Sequence, residues 1–290
     1  MPSCSTARRW ANSIIWTINV AGSARTVEEY CRAYLLSTRL SEKCKPPPAP
    51  SVWSDEPKSQ DLRPGRPPDL TVTYDRPRAL KQGALVRAEI RAEVLHKFWH
   101  HELQAAELFC WAILKFCDAP LAFRNGLLRI FSDEVRHMRL YQQHIASLGF
   151  SIGDFAVRDW FWDRVPSCET PLSFVALLGM GLEAANLEHA ERFERWFRAA
   201  GDKQAAQIQQ QVGREEVAHV KFATFWFRKW TGSVDFEQWK AQLPPPLSPL
   251  LMKGKTLDLR RRRAADFPEP FLTELAAYAP TINPPHKGSS

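Results

Sequence analysis

Asp133-Glu134-Val135-Arg136-His137-Met138-Arg139 is echoed by Glu215-Glu216-Val217-Ala218-His219-Val220-Lys221. Each stretch is an acid, then Glu-Val-x-His, then an apolar residue and a base. Glu and His at i, i+3 share one face of a helix, so both side chains reach one point. One Glu-x-x-His arises often by chance. Two in matching contexts, each preceded at a matching distance by a lone helical glutamate, do not. Glu102 stands 32 residues before Glu134, and Glu183 stands 33 before Glu216. An antiparallel helix pair with a short turn returns such residues to one level. The turns fall near Asp118 and Ala119, and near Gly201. The unit repeats at an offset of 81 from Glu102 to Glu183 and 82 from His137 to His219. That is an internal duplication, and it predicts pseudo-two-fold symmetry. One Glu from each of two helices and one Glu-x-x-His from each of two others is the donor set of a dinuclear site in a four-helix bundle core.

A glutamate inside an apolar helix stripe needs a reason, because an ionised carboxylate buried without a partner is very costly. Four converging in one core also repel each other. Two divalent cations offset both effects: four carboxylates and two neutral imidazoles leave the site near electroneutral. Carboxylate oxygen with imidazole nitrogen suits iron, with manganese as the alternative. Structural zinc more often takes thiolates. The expected ligands are therefore Glu102, Glu134, His137, Glu183, Glu216 and His219. Glu107 and Glu188 also repeat, five residues after Glu102 and Glu183. Turn geometry places them nearer the hairpin ends, as partners of the ligands rather than as ligands. His100, His101, His144 and His189 read as surface or packing residues. Tyr141, one turn beyond His137, reads as a core tyrosine.

The whole chain predicts an all-α fold. Helices are expected over about 83–117, 121–148, 171–200 and 203–230. Pro171 suits a first helical position and Gly149 a helix end. The link 150–170, with Trp160-Phe161-Trp162, must cross the bundle to set the two hairpins face to face. A short helix is expected over 27–40 and another over 271–278. Prolines from Pro46 to Pro77 recur too often for a helix and give an extended arm, with Trp53 and Leu70 able to lie against the helical body. The organisation is 1–80 as N-terminal helix and proline-rich arm, 81–245 as four-helix bundle with a long crossover, and 246–290 as C-terminal tail.

The chain has 290 residues, 44% hydrophobic, with 11 Trp and 17 Phe, enough for one sizeable core. Net charge is +7, but much of the excess sits in the termini, as in Arg260 to Arg263, so nucleic acid is only weakly indicated as a partner. No apolar run approaches the length of a membrane span. Arg8-Arg9 before Ile14-Ile15-Trp16 resembles a targeting peptide only faintly, since Asn12, Ser13, Thr17 and Asn19 interrupt it. The six cysteines are scattered, with no C-x-x-C, and read as reduced thiols of a cytoplasmic protein.

His101-Glu102-Leu103-Gln104-Ala105-Ala106-Glu107-Leu108, Asp133 to His137 and Glu215 to His219 are similar to the helix signatures of the ferritin-like di-iron carboxylate superfamily. Arg158 to Asp163 and Leu182 to His189 sharpen the likeness. Over about 80–245 the chain resembles a bacterial ferritin-like family catalogued as domain of unknown function 455, and more distantly a branch that hydroxylates modified tRNA. The resemblance implies two iron ions and oxygen chemistry. The first functional reading is a non-haem di-iron oxidative enzyme of hydroxylase or oxygenase type, acting with dioxygen on an organic substrate, as a monomer or dimer. The alternatives are an iron-handling or peroxide-detoxifying protein, and a helical scaffold stabilised by metal without catalysis. The long appendages fit poorly in a closed storage shell, and the thiolate pairs of a rubredoxin-fused type are absent.

Overall fold

The computed structural model describes residues 24–75, 79–253 and 256–279. Cys4 and the Arg8-Arg9 segment lie outside them. Among the described residues the structure is all-helical. An isolated parallel β-bridge joins Val72 and Val157.

Four long helical stretches carry the fold: α3 (Ala88–Lys115), α4 (Leu121–Ser147), α6 (Ala184–Ala199) and α7 (Lys203–Thr231). Ahead of them come α1 (Val27–Leu36) and α2 (Leu40–Cys44). A short α5 (Pro171–Phe174) leads into a π-helical segment, Val175–Glu183, which runs on into α6. After α7 come α8 (Phe236–Lys240), α9 (Leu259–Ala264) and α10 (Glu269–Ala277). Helix α3 packs along α4, α6 packs along α7, and α4 meets α7.

Local sequence sets the ends. Thr26 caps α1 in a reciprocal box with Glu29. Thr170 and Ser173 do the same for α5, behind Pro171. Asp202 caps α7 by accepting from the Ala205 N–H at 2.9 Å. The same carboxylate meets Arg91 Nε at 2.9 Å and His144 Nε2 at 2.9 Å, so one capping residue also ties α3 and α4 to the α6–α7 turn. Helices α4 and α7 end before Gly149 (φ +87°) and Gly232 (φ +85°), left-handed positions that glycine takes without steric cost.

Arm and tail share the core of the long helices. Val27, Tyr30 and Leu35 at one end of the chain and Phe267, Phe271 and Leu275 at the other belong to the same buried apolar cluster. Tyr30 and Tyr34 meet Phe131 edge-on at 5.9 and 4.8 Å. Trp53 lies under the Arg124 guanidinium at 4.8 Å, and Leu70 is buried. The expected helix over 27–40 is α1, which stops at Leu36, and α2 starts where the expected helix ends. The expected regular helix from 171 to 200 contains the π segment.

Candidate metal centre

Six side chains from four helical stretches meet in the core. Glu102 comes from α3, Glu134 and His137 from α4, Glu183 from the end of the π segment, and Glu216 and His219 from α7. All six are buried. They form two overlapping groups, Glu102–Glu134–His137–Glu216 and Glu134–Glu183–Glu216–His219, and in each the ligand atoms lie within 4.8 Å of one another. Glu134 and Glu216 belong to both groups. The arrangement therefore has two lobes sharing two central carboxylates. Each lobe has its own histidine and its own terminal glutamate.

The donor atoms are poorly satisfied by the protein itself. Glu134 Oε1 and Oε2, Glu183 Oε1, Glu216 Oε2 and His219 Nδ1 are buried without a hydrogen bond. Buried polar atoms are nearly always bonded, so a cluster of bare ones aimed at one another needs an occupant. Electrostatics agrees. Burial, then Glu134, holds the Glu102 carboxyl well above the usual carboxylate range, and burial, then Glu216 and Glu134, does the same for Glu183. Such carboxyls keep protons unless cations replace them. The Glu/His groups could thus hold metal ions.

An outer ring of acids fixes the imidazoles, and it is crossed between the two motifs. His137 Nε2 donates to Glu215 Oε2 at 2.7 Å, and His219 Nε2 faces Asp133 Oδ2 at 3.3 Å. A carboxylate only accepts, so Nε2 carries a proton, and Nδ1 is the ring atom that faces the inner carboxylates, 3.3 Å from Glu102 Oε2 in His137 and 3.1 Å from Glu134 Oε1 in His219. Each acid stands directly before the other motif's partner glutamate. Arg136 joins the two acids, reaching Asp133 Oδ1 and Glu215 Oε2 at 2.6 Å each. In the sequence these acids show only as part of the repeat, and Arg136 stands where the second stretch has Ala218.

Glu107 and Glu188 are buried, but they serve the appendages. Glu107 accepts from Lys43 Nζ at 2.8 Å, Arg66 at 2.7 Å and Trp162 Nε1 at 2.9 Å. Glu188 accepts from Arg262 at 2.8 and 2.9 Å and from the Asp258 N–H at 3.0 Å. Their expected place as partners of the ligands is thereby corrected. His100 is a buried partner of Asp159 at 3.0 Å, and His144 of Asp202. Tyr141 is buried and accepts from Gln209 Nε2 at 3.1 Å.

A cavity of about 290 Å³ opens beside the cluster. Glu102 and Glu183, the two terminal carboxylates, line it together with Trp160 and Phe161 of the crossing segment and with His101 and His189. The two histidines read as surface or packing residues therefore face this space. Gln104 on α3 fastens the crossing segment: its Oε1 accepts from the Phe161 N–H at 3.0 Å, and its Nε2 donates to Arg158 O at 3.2 Å. Gln104 sits within the motif around Glu102, but nothing in its spacing announced this task.

The helices and the buried Glu/His cluster define an all-α protein with a core able to hold metal. Residues 20–273 match the family model described as "Protein of unknown function (DUF455)", and the chain belongs to that family. It is 25% identical over 159 residues to an uncharacterized protein of Haemophilus influenzae (strain ATCC 51907 / DSM 11121 / KW20 / Rd), covering 52% of this chain and 55% of the relative. The match thus spans about half of the relative's length. No solved structure matches the chain.

Proposed function

We propose that this chain is a ferritin-like four-helix bundle, duplicated internally, that holds two iron ions and uses dioxygen to oxidise an organic substrate. Glu102, Glu134, His137, Glu183, Glu216 and His219 would be the ligands, and manganese is the alternative metal. When bound, the metal pair supplies the redox chemistry of dioxygen reduction. The protein holds and orients the donors, keeps the imidazole protons on the outer nitrogens, and limits water around the site.

The observation that carries this reading is the cavity bounded by Glu102 and Glu183. A metal site kept only for stability has no use for a neighbouring chamber, whereas an oxidative enzyme needs one. Asn186, on the same wall, reaches Glu216 Oε1 at 3.4 Å, so a guest there lies next to the carboxylate cluster.

The deciding experiment combines metal content, oxygen uptake and size. Protein from iron-supplemented cells is expected to carry about two irons per chain, to consume dioxygen when loaded with ferrous iron, and to run as a monomer or dimer. A large hollow assembly accumulating far more iron per chain would replace this reading with iron handling. Metal-free protein that refuses both iron and manganese would remove it.

A further inference from the structure

We infer that the cavity beside Glu102 and Glu183 receives a small, uncharged molecule with a planar aromatic ring system. This names a substrate class for the oxidative reading and rests on it.

The walls are flat. Phe161 and His101 lie nearly parallel, with ring centres 5.2 Å apart and planes 19° apart, and Phe98 meets His101 at 62°. Trp160 lines the same space, and the Arg164 guanidinium covers its ring at 4.1 Å. Arg164 also donates to Trp160 O at 2.8 Å, while Gln104 holds the Phe161 backbone. The backbone that carries Trp160 and Phe161 is therefore held before any guest arrives, which lowers the ordering cost of binding. Aromatic faces favour offset or edge-on contact with another ring beyond the gain from apolar burial.

Apart from the two carboxylates, the polar groups are neutral. Asn186 and His189 line the cavity, and burial holds the His189 imidazole below its ordinary pKa. They offer hydrogen bonds to the edge of a ring. No lysine or arginine lines the space, while two carboxylates do. A phosphate or carboxylate placed there would be desolvated with no counter-charge. Four carboxylates on two divalent cations leave no excess positive charge to attract it. A saturated guest would fill the volume but gain nothing from the ring faces.

The full chain, as purified and kept anaerobic, is titrated with 2-naphthol, 2-naphthoate and decahydro-2-naphthol, read by calorimetry and ligand-observed NMR. The expected result is binding of 2-naphthol at least about ten-fold tighter than either of the others. Phe161→Leu, at a half-buried wall position, should erase the preference over the saturated alcohol. Trp160→Leu is the second variant if Phe161→Leu melts early. Equal binding of naphthoate overturns the charge argument, equal binding of the saturated alcohol overturns the ring argument, and no binding of 2-naphthol overturns both. Oxygen uptake by the iron-loaded chain is read separately. Ring-selective binding with no oxygen uptake would leave this inference standing and remove the oxidative reading. Oxygen uptake without ring selectivity would do the reverse.

Discussion

At the scale of single residues, the centre depends on crossed support. Glu215 steadies His137 and Asp133 steadies His219, so each motif is oriented by the acid that opens the other. Replacing Glu215 with Gln or Asp133 with Asn keeps shape but weakens the hold on Nε2–H. We expect metal affinity to fall about 10–100-fold in either variant, by chelator competition, with little change in helix content. His137→Ala or His219→Ala should cost more, lowering bound metal and abolishing the chelator-dependent shift of the melting temperature. That these six side chains cluster was legible, because Glu-x-x-His and its repeat are local patterns. The crossing was not: the acid–histidine pairs are 78 and 86 residues apart, and only the packing of α4 on α7 brings them together. His96 gives a residue-scale test of pH. Its Nε2 accepts from the Gly153 N–H at 2.9 Å, so the buried ring must be neutral, and burial, then His100, lowers its pKa to about 4. The unfolded chain, with an imidazole pKa of about 6.5, takes up this proton first as pH falls. Stability is therefore full above about pH 6.5 and is lost as pH drops towards 4, by up to about 3 kcal/mol from this group. Denaturant unfolding of His96→Gln, which keeps an acceptor, should show a shallower decline across that window. Identical pH profiles would show that His96 does not titrate this way.

At the scale of elements, the long helices were readable because caps and apolar stripes agree with each other. Pro171 and Gly149 mark ends that the structure keeps, and Asp202 and Gly232 are found at the two ends of α7. The π segment Val175–Glu183 was not readable. Its apolar residues are buried on all sides, so no stripe exposes a change from 3.6 residues per turn to a wider one. Close neighbours pack against it. A Cβ at Gly179 would stand 2.3 Å from Ala223 Cβ on α7, and one at Gly181 would stand 2.7 Å from Met252 Sδ. Two small residues thus admit close neighbours from opposite directions, and Glu183 is delivered at the end of this segment. The two glycines should respond differently. Ala223 Cβ cannot move without its helix, so Gly179→Ala is expected to destabilise by about 1–3 kcal/mol despite the better helix propensity of alanine. Met252 can swing its thioether aside. Gly181→Ala should then fall within about 1 kcal/mol of wild type in the same denaturation measurement. A reversed order would mean that the tail, not α7, sets the register of the π segment.

At the scale of the whole molecule, the two repeated stretches of sequence are each bound by an appendage in the same way. Five residues after Glu102 comes Glu107, held by Lys43 and Arg66 from the N-terminal arm; five after Glu183 comes Glu188, held by Arg262 from the tail. Arg66 continues to Asp159 at 2.9 Å, which also bonds His100, so the arm clamps the crossing segment that walls the cavity. Arg262 continues to Met252 O at 3.0 Å and Ala184 O at 3.2 Å, which pins the tail over the start of α6. The repeated glutamates were visible in sequence, but their cations stand 41 to 74 residues away and follow no shared motif, so their partners were not. These are buried charges, and breaking one side of a buried pair costs far more than replacing both. Arg262→Leu is expected to destabilise by about 3–5 kcal/mol, because buried Glu188 loses the two charge-assisted bonds from the Arg262 guanidinium. Adding Glu188→Leu should recover most of that loss, since two apolar side chains then meet in the same space. Both variants should unfold in one transition when followed by far-ultraviolet circular dichroism and by tryptophan fluorescence, because arm, long helices and tail share one core. If Arg262→Leu instead lost the tail in a separate early step, with the remaining helices melting as in wild type, the tail would be a docked appendage. If the double variant were no more stable than Arg262→Leu alone, the ion pair would not be what holds it.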